Sequence, residues 1–93
     1  MEQNQMFVKD PSEELDYQVI VVALLQEGEQ LTRHRVFCDD STITILGEHE
    51  NDGVITFWLS GGNVNTTYRV TVEFETDKGR LYQRSIWVKI VER

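Results

Sequence analysis

The residues able to do chemistry are few, and their spacing limits what chemistry is open to them. In 93 residues His34 and His49 are the only histidines and Cys38 the only cysteine. A general base or an activated nucleophile needs partners held within hydrogen-bond reach in a pocket. His34 stands between Arg33 and Arg35 in a run that alternates like a strand, and His49 lies in a polar stretch. No Ser/His/Asp or Cys/His arrangement accompanies either, so no catalytic residue and no enzyme activity are expected. Asp39-Asp40-Ser41 and Glu48-His49-Glu50-Asn51-Asp52 carry the oxygen donors that calcium takes from loops. Neither has an EF-hand spacing and the whole chain is acidic, so both read as solvated turns, with no metal and no cofactor expected. A lone thiol excludes an internal disulfide and a cysteine-based metal cluster. Cys38 reads as a small core residue.

Tyr17, Trp58, Tyr82 and Trp87 could together form a sugar-binding platform, although packing in a core or an interface is the commoner fate of aromatic side chains. Trp58 and Trp87 fall on the outward parity of their segments, which makes them the candidates for a contact surface. The net charge of -7 and the pI near 4.7 argue against a nucleic-acid partner, which needs a basic surface to displace counterions. An acidic surface favours solubility or a basic partner. Met1 to Gln5 lacks the basic start and apolar stretch of a secretory signal, and the longest apolar run, Val19 to Leu25, is too short to span a bilayer. Synthesis in a cytoplasm, a reduced thiol and no membrane partner are expected.

The elements that must position these residues read as strands. The length suits one two-layer core. Residues 1–14, with Asp10-Pro11-Ser12-Glu13-Glu14 breaking regular structure after Met6-Phe7-Val8, read as an extended N-terminal arm, and residues 15–93 as a single domain. Leu15 to Leu25 is apolar on both parities, the mark of a buried central strand. A buried helix capped by Gly28 competes, but the Tyr, Val and Ile content favours a pleated surface. Leu31 to Cys38 suits a strand with one wet face, Thr42 to Leu46 a short strand, and Gly47 to Gly53 a polar loop. Ile55, Phe57 and Leu59 share one parity of the next strand. Tyr68, Val70, Val72 and Phe74 then alternate strictly with Arg69, Thr71, Glu73 and Glu75. Asp77-Lys78-Gly79 reads as a hairpin turn. In the last strand Ile86, Val88 and Ile90 point inward, and Trp87 and Lys89 outward. Such a meander, with no sustained helical period, predicts an all-β fold, an immunoglobulin- or fibronectin type III-like antiparallel β-sandwich of about seven strands.

Leu59-Ser60-Gly61-Gly62 followed by Thr67-Tyr68-Arg69-Val70-Thr71-Val72 looks like the tyrosine corner of fibronectin type III domains, in which the phenol bonds back past the corner to backbone. Leu59, Gly61, Gly62 and Tyr68 are the residues of that corner. The plainer alternative is a buried tyrosine whose hydroxyl reaches the surface.

Several segments together resemble a family of small tailed-bacteriophage virion proteins with an immunoglobulin-like fold, described as fibre-tail adaptor or neck-associated proteins. They are Phe7-Val8-Lys9-Asp10-Pro11, Leu15-Asp16-Tyr17, Trp58-Leu59-Ser60-Gly61-Gly62, Thr66-Thr67-Tyr68, Gly79-Arg80 and Arg84-Ser85-Ile86 through Glu92-Arg93. The chain departs from the family pattern at Ile20-Val21, where an Asp-Trp pair is usual, and at Leu24, where another tryptophan is common. The resemblance implies a non-catalytic virion structural protein, an adaptor at the neck or tail that contacts other neck, tail or fibre components in several copies per particle. The alternative is a generic binding module recognising a host-surface carbohydrate or protein. An isolated sandwich leaves strand edges with unpaired backbone groups, to which a neighbouring chain can add a strand. The arm, through Phe7 and Val8, suits such docking. It is expected to be loosely ordered in the free protein and dispensable for folding.

Overall fold

The structure, a computed structural model, describes residues 5–93. Seven strands form it: β1 Gln5–Lys9, β2 Leu15–Ile20, β3 Leu31–Cys38, β4 Ile43–Asn51, β5 Val54–Gly61, β6 Thr67–Thr76 and β7 Leu81–Ile90. They make a two-layer sandwich, with a four-stranded sheet ordered β1-β7-β6-β3 facing a three-stranded sheet ordered β2-β5-β4. The period of two along β5, β6 and β7 builds the core between the layers. Ile55, Phe57 and Leu59 from one sheet meet Val70, Val72, Phe74, Ile86, Val88 and Ile90 from the other, all buried. Burying side chains of this size contributes about 1.5–3 kcal/mol each before chain entropy is subtracted.

Three expectations change. The segment read as an arm is, from Gln5 to Lys9, a strand of the sandwich; residues 1–4 of it lie outside the described residues. β1 runs parallel to β7, with Gln5 opposite Ile86 and Lys9 opposite Ile90, whereas every other neighbouring pair is antiparallel. Phe7 turns inward onto the Tyr17 ring, 4.9 Å between centroids, while Met6 and Val8 face outward.

The run from Leu15 to Leu25 is not one central strand. β2 ends at Ile20 on the edge of its sheet, and a single 3₁₀ turn, Val22–Leu24, follows. The physical reason lies in the backbone bonds: the N–H groups of Val21 and Val22 both donate to the Gly53 carbonyl, at 2.8 and 3.0 Å. This ties the chain to the β4–β5 hairpin instead of a ladder. Val21 is thereby buried, and Ile20 and Val22 stay exposed.

The stretch from Gly47 to Asn51, read as loop, continues β4. Its polar side chains belong to an edge strand, and the hairpin is confined to Asp52 and Gly53, both at positive φ. A bulge between Ile45 and Gly47 turns Leu46 out to solvent.

Candidate functional site

Strand ends gather at one pole of the sandwich: the end of β1, the starts of β2 and β4, the end of β5, the start of β6 and the end of β7. The Tyr68 ring is buried there, and its hydroxyl accepts the Asn63 N–H at 2.8 Å, past the corner that joins β5 to β6. The same hydroxyl lies 2.7 Å from Thr42 Oγ1, and Thr42 donates in turn to Asp40 Oδ1 at 2.7 Å. Since the Asp40 carboxylate only accepts, the protons run one way along the chain: Tyr68 donates to Thr42, and Thr42 to Asp40. The Thr42 backbone and side-chain bonds hold the Asp40 carboxyl below its ordinary value. Asp40 thereby caps its own turn through Thr42.

Gly61 and Gly62 cannot be replaced here without movement. Gly61 sits at φ +81° with its missing Cβ 2.7 Å from the Thr42 carbonyl oxygen, and Gly62 at φ +101° with its missing Cβ 2.7 Å from Ile90 Cγ1. Leu59 is fully buried beneath them.

Lys9 was not singled out by the sequence, yet its side chain is 0 % exposed at this pole. Its amine donates to the carbonyls of Gly61 at 2.8 Å and Asp10 at 2.9 Å. Burial lowers the Lys9 pKa, and the nearby Glu13, Asp10 and Glu14 charges oppose that shift. Asp10 and Glu13 also clasp the C-terminal residue. Asp10 Oδ2 accepts the Arg93 N–H at 2.8 Å, and Glu13 Oε1 accepts from the Arg93 guanidinium at 2.8 and 3.1 Å. Asp10 Oδ1 accepts from Ser12, and the Asp10 N–H donates to Glu13. These bonds, led by the Arg93 N–H, hold the Asp10 carboxyl down at about 2.

The other candidates fall elsewhere. His34 Nδ1 lies 2.7 Å from Glu48 Oε2, and Glu48 Oε1 accepts the Val36 N–H at 3.0 Å. One carboxylate thereby joins β3 of one sheet to β4 of the other and caps the open edge of β3. Glu50 accepts the Gly53 N–H, closing its own hairpin. Among the described residues no group of three or more His, Cys, Asp or Glu side chains is placed to hold a metal ion. Cys38 is half-buried, packed against the core at the end of β3.

The four aromatics considered for a sugar platform do not share a surface. Tyr17 is buried, and Tyr82 stacks on Phe74 at 5.0 Å. Trp87, between the inward Ile86 and Val88, stands on the outer face of the four-stranded sheet, with Arg69 over its ring at 5.7 Å. Trp58, between the inward Phe57 and Leu59, stands on the outer face of the three-stranded sheet, 5.8 Å from the His49 ring. The two tryptophans therefore face opposite ways.

Parts of four of the segments that carry the family resemblance, Lys9-Asp10-Pro11, Gly61-Gly62, Thr66-Thr67-Tyr68 and Glu92-Arg93, lie at this pole, whereas Gly79-Arg80 lies in the β6–β7 turn at the other. A family model described as podophage GP4 fiber-tail adaptor protein gp77 matches residues 9–89. The chain belongs to that family. No curated protein matches it. As a fibre-tail adaptor it is a virion-associated phage structural protein whose role implies contact with other phage tail proteins. No helix among the adaptor's described residues is long and apolar enough to cross a membrane.

Proposed function

We propose that this chain is a non-catalytic adaptor at the phage neck or tail that joins neighbouring virion proteins through the two outer faces of its sandwich. The observation that carries this reading is the placement of Trp58 and Trp87 on opposite faces. Tryptophan and arginine dominate binding energy where they are desolvated at the centre of an interface. An adaptor needs two contact surfaces, and a rigid two-layer plate with an aromatic on each side supplies them. Met6 and Val8, 60 % and 43 % exposed beside Trp87, extend the first surface to the open edge of β1. Phe7 contributes from beneath, by packing β1 onto the core. The tied corner of Leu59, Gly61, Gly62 and Tyr68 serves to hold the plate's pole rigid. An immunoglobulin-like topology is supported by the strand order, since β7-β6-β3 and β2-β5-β4 follow the G-F-C and B-E-D orders of that fold.

The test is the composition of purified particles. Phage carrying Trp58→Ala or Trp87→Ala should yield folded adaptor that is depleted from virions, read by quantitative mass spectrometry against the portal and capsid proteins. Absence of the wild-type protein from purified virions, or full incorporation of both variants, would sink the reading.

A further inference from the structure

Charge is segregated between the two sheets. β1, β3, β6 and β7 hold six of the nine Lys and Arg residues and only two of the sixteen carboxylates, Glu73 and Glu75. β2, β4 and β5 hold no Lys or Arg, and of their three carboxylates Glu48 and Glu50 lie on the inward parity of β4, opposite Phe57 and Ile55, which leaves Asp16 on the outer face. On the outer face of the four-stranded sheet, Glu75 and Glu73 are taken by Arg33 and Arg35 across the β3–β6 ladder. Among the described residues, Arg69 and Lys89 on the same face have no carboxylate partner. The registers Met6–Trp87–Arg69 and Val8–Lys89–Thr67 put these two cations beside exposed apolar side chains. On the outer face of the other sheet, the registers Asp16–Trp58–Gly47 and Gln18–Thr56–His49 put an exposed carboxylate beside the second tryptophan.

We propose that copies of this chain dock head to tail, the cationic Trp87 face of one covering the anionic Trp58 face of the next. Resting on the reading of the outer faces as contact surfaces, this names the occupant: a second copy. The outer face of the three-stranded sheet has the required sign, with Asp16 beside Trp58 and no cation on its strands. Opposite signs steer the encounter and fix its register, while like faces repel, which disfavours a two-fold dimer. Two different faces make a heterologous contact, which continues into a closed ring or an open stack. Three strands about 4.8 Å apart and eight residues long at about 3.3 Å each cover roughly 14 by 26 Å. That is below the ~800 Å² per partner of a standard interface, so each contact is weak alone and strengthened where neighbours hold several copies together.

Sedimentation velocity at low salt, up to about millimolar protein, tests this with two charge reversals on exposed positions. Arg69→Glu/Lys89→Glu spoils the cationic face and Asp16→Lys/Gln18→Lys the anionic one; circular dichroism verifies that both fold. Wild type should form species beyond dimer that fall apart as salt screens the faces. Each variant alone should stay monomeric. Their equimolar mixture should associate again, because an intact cationic face meets an intact anionic one and the two reversed faces are once more opposite in sign. A wild type that stays monomeric, a wild type that stops at dimer, or a mixture that forms no dimer overturns the proposal. Particle incorporation of the same variants separates this failure from that of the adaptor reading. Loss of incorporation with unchanged self-association keeps the faces as contact surfaces and overturns self-docking. Self-association as described, with normal incorporation of every variant, supports self-docking and removes the adaptor reading alone.

Discussion

Two tyrosines with buried hydroxyls show that environment, not residue type, sets what a polar group contributes. The Tyr68 hydroxyl has a donor and an acceptor in place, Asn63 N–H and Thr42 Oγ1. Tyr68→Phe leaves both groups with a missing partner and should lower stability by about 1–3 kcal/mol. The Tyr17 hydroxyl is buried and has no hydrogen-bond partner among the described residues, and burial pushes its pKa up. Tyr17→Phe keeps the ring packing against Phe7 and Phe57 and removes an uncompensated group, so stability should hold or rise by about 1 kcal/mol. Urea unfolding of the two variants is the measurement. Equal effects at both positions would mean that the corner bonds contribute nothing specific. Tyr68 stood out because a Gly-Gly pair precedes a strictly alternating strand, the pattern of a tied corner, while the bonds of its hydroxyl to Asn63 and Thr42 come from the fold. Lys9 was not, because a lysine in a sequence reads as exposed, and only the closing of β1 over Gly61 gives its amine carbonyls to bond.

At the scale of elements, the turn between β1 and β2 does more than connect them. Asp10 and Glu13 fasten it to Arg93, so the segment that follows β7 is held to the turn that follows β1. The Asp10 carboxyl is depressed from 3.8 to about 2 and Glu13 is shifted in the same direction. A carboxylate whose folded pKa is depressed contributes stability that is present above its unfolded value and is lost as pH falls through the folded one. Asp10→Asn should therefore separate most from wild type at neutral pH, and the gap in urea midpoint should narrow between pH 3.8 and about 2. A gap independent of pH would show that the clasp is not electrostatic. The elements themselves were legible wherever one parity is buried and the other wet, as in β5, β6 and β7. They were misread where that contrast fails. β2 has apolar residues on both parities because Val21 is buried by a turn rather than by a ladder, and the far half of β4 is polar because it runs along a sheet edge. The outward parity of Trp58 and Trp87 was readable from their neighbours, but not that the two belong to opposite faces, since parity is local and sheet membership depends on pairings distant in sequence.

The whole molecule is closed by a pair of strands from opposite ends of the chain. β4 with β5 and β6 with β7 are hairpins with short turns, whereas Gln5 pairs with Ile86. Loop closure costs about (3/2)RT ln n, so joining residues roughly 80 apart rather than four apart costs about 2–3 kcal/mol more. β1 also has only five residues and one neighbouring strand to offset that cost, so it should dock last in folding and open first in the native state. Native-state hydrogen exchange should find the central strands β5, β6 and β7 exchanging only through global unfolding, and the β1 amides through an opening of lower free energy. Deleting residues 1–9 should then cost about 3 kcal/mol or more, because it strips the inward Phe7 from the core and the buried Lys9 amine from Gly61. This reverses the expectation of a dispensable arm. A deletion variant with unchanged urea midpoint would restore that expectation, and β1 amides protected as strongly as those of β6 would show that the parallel pair belongs to the first structure to form.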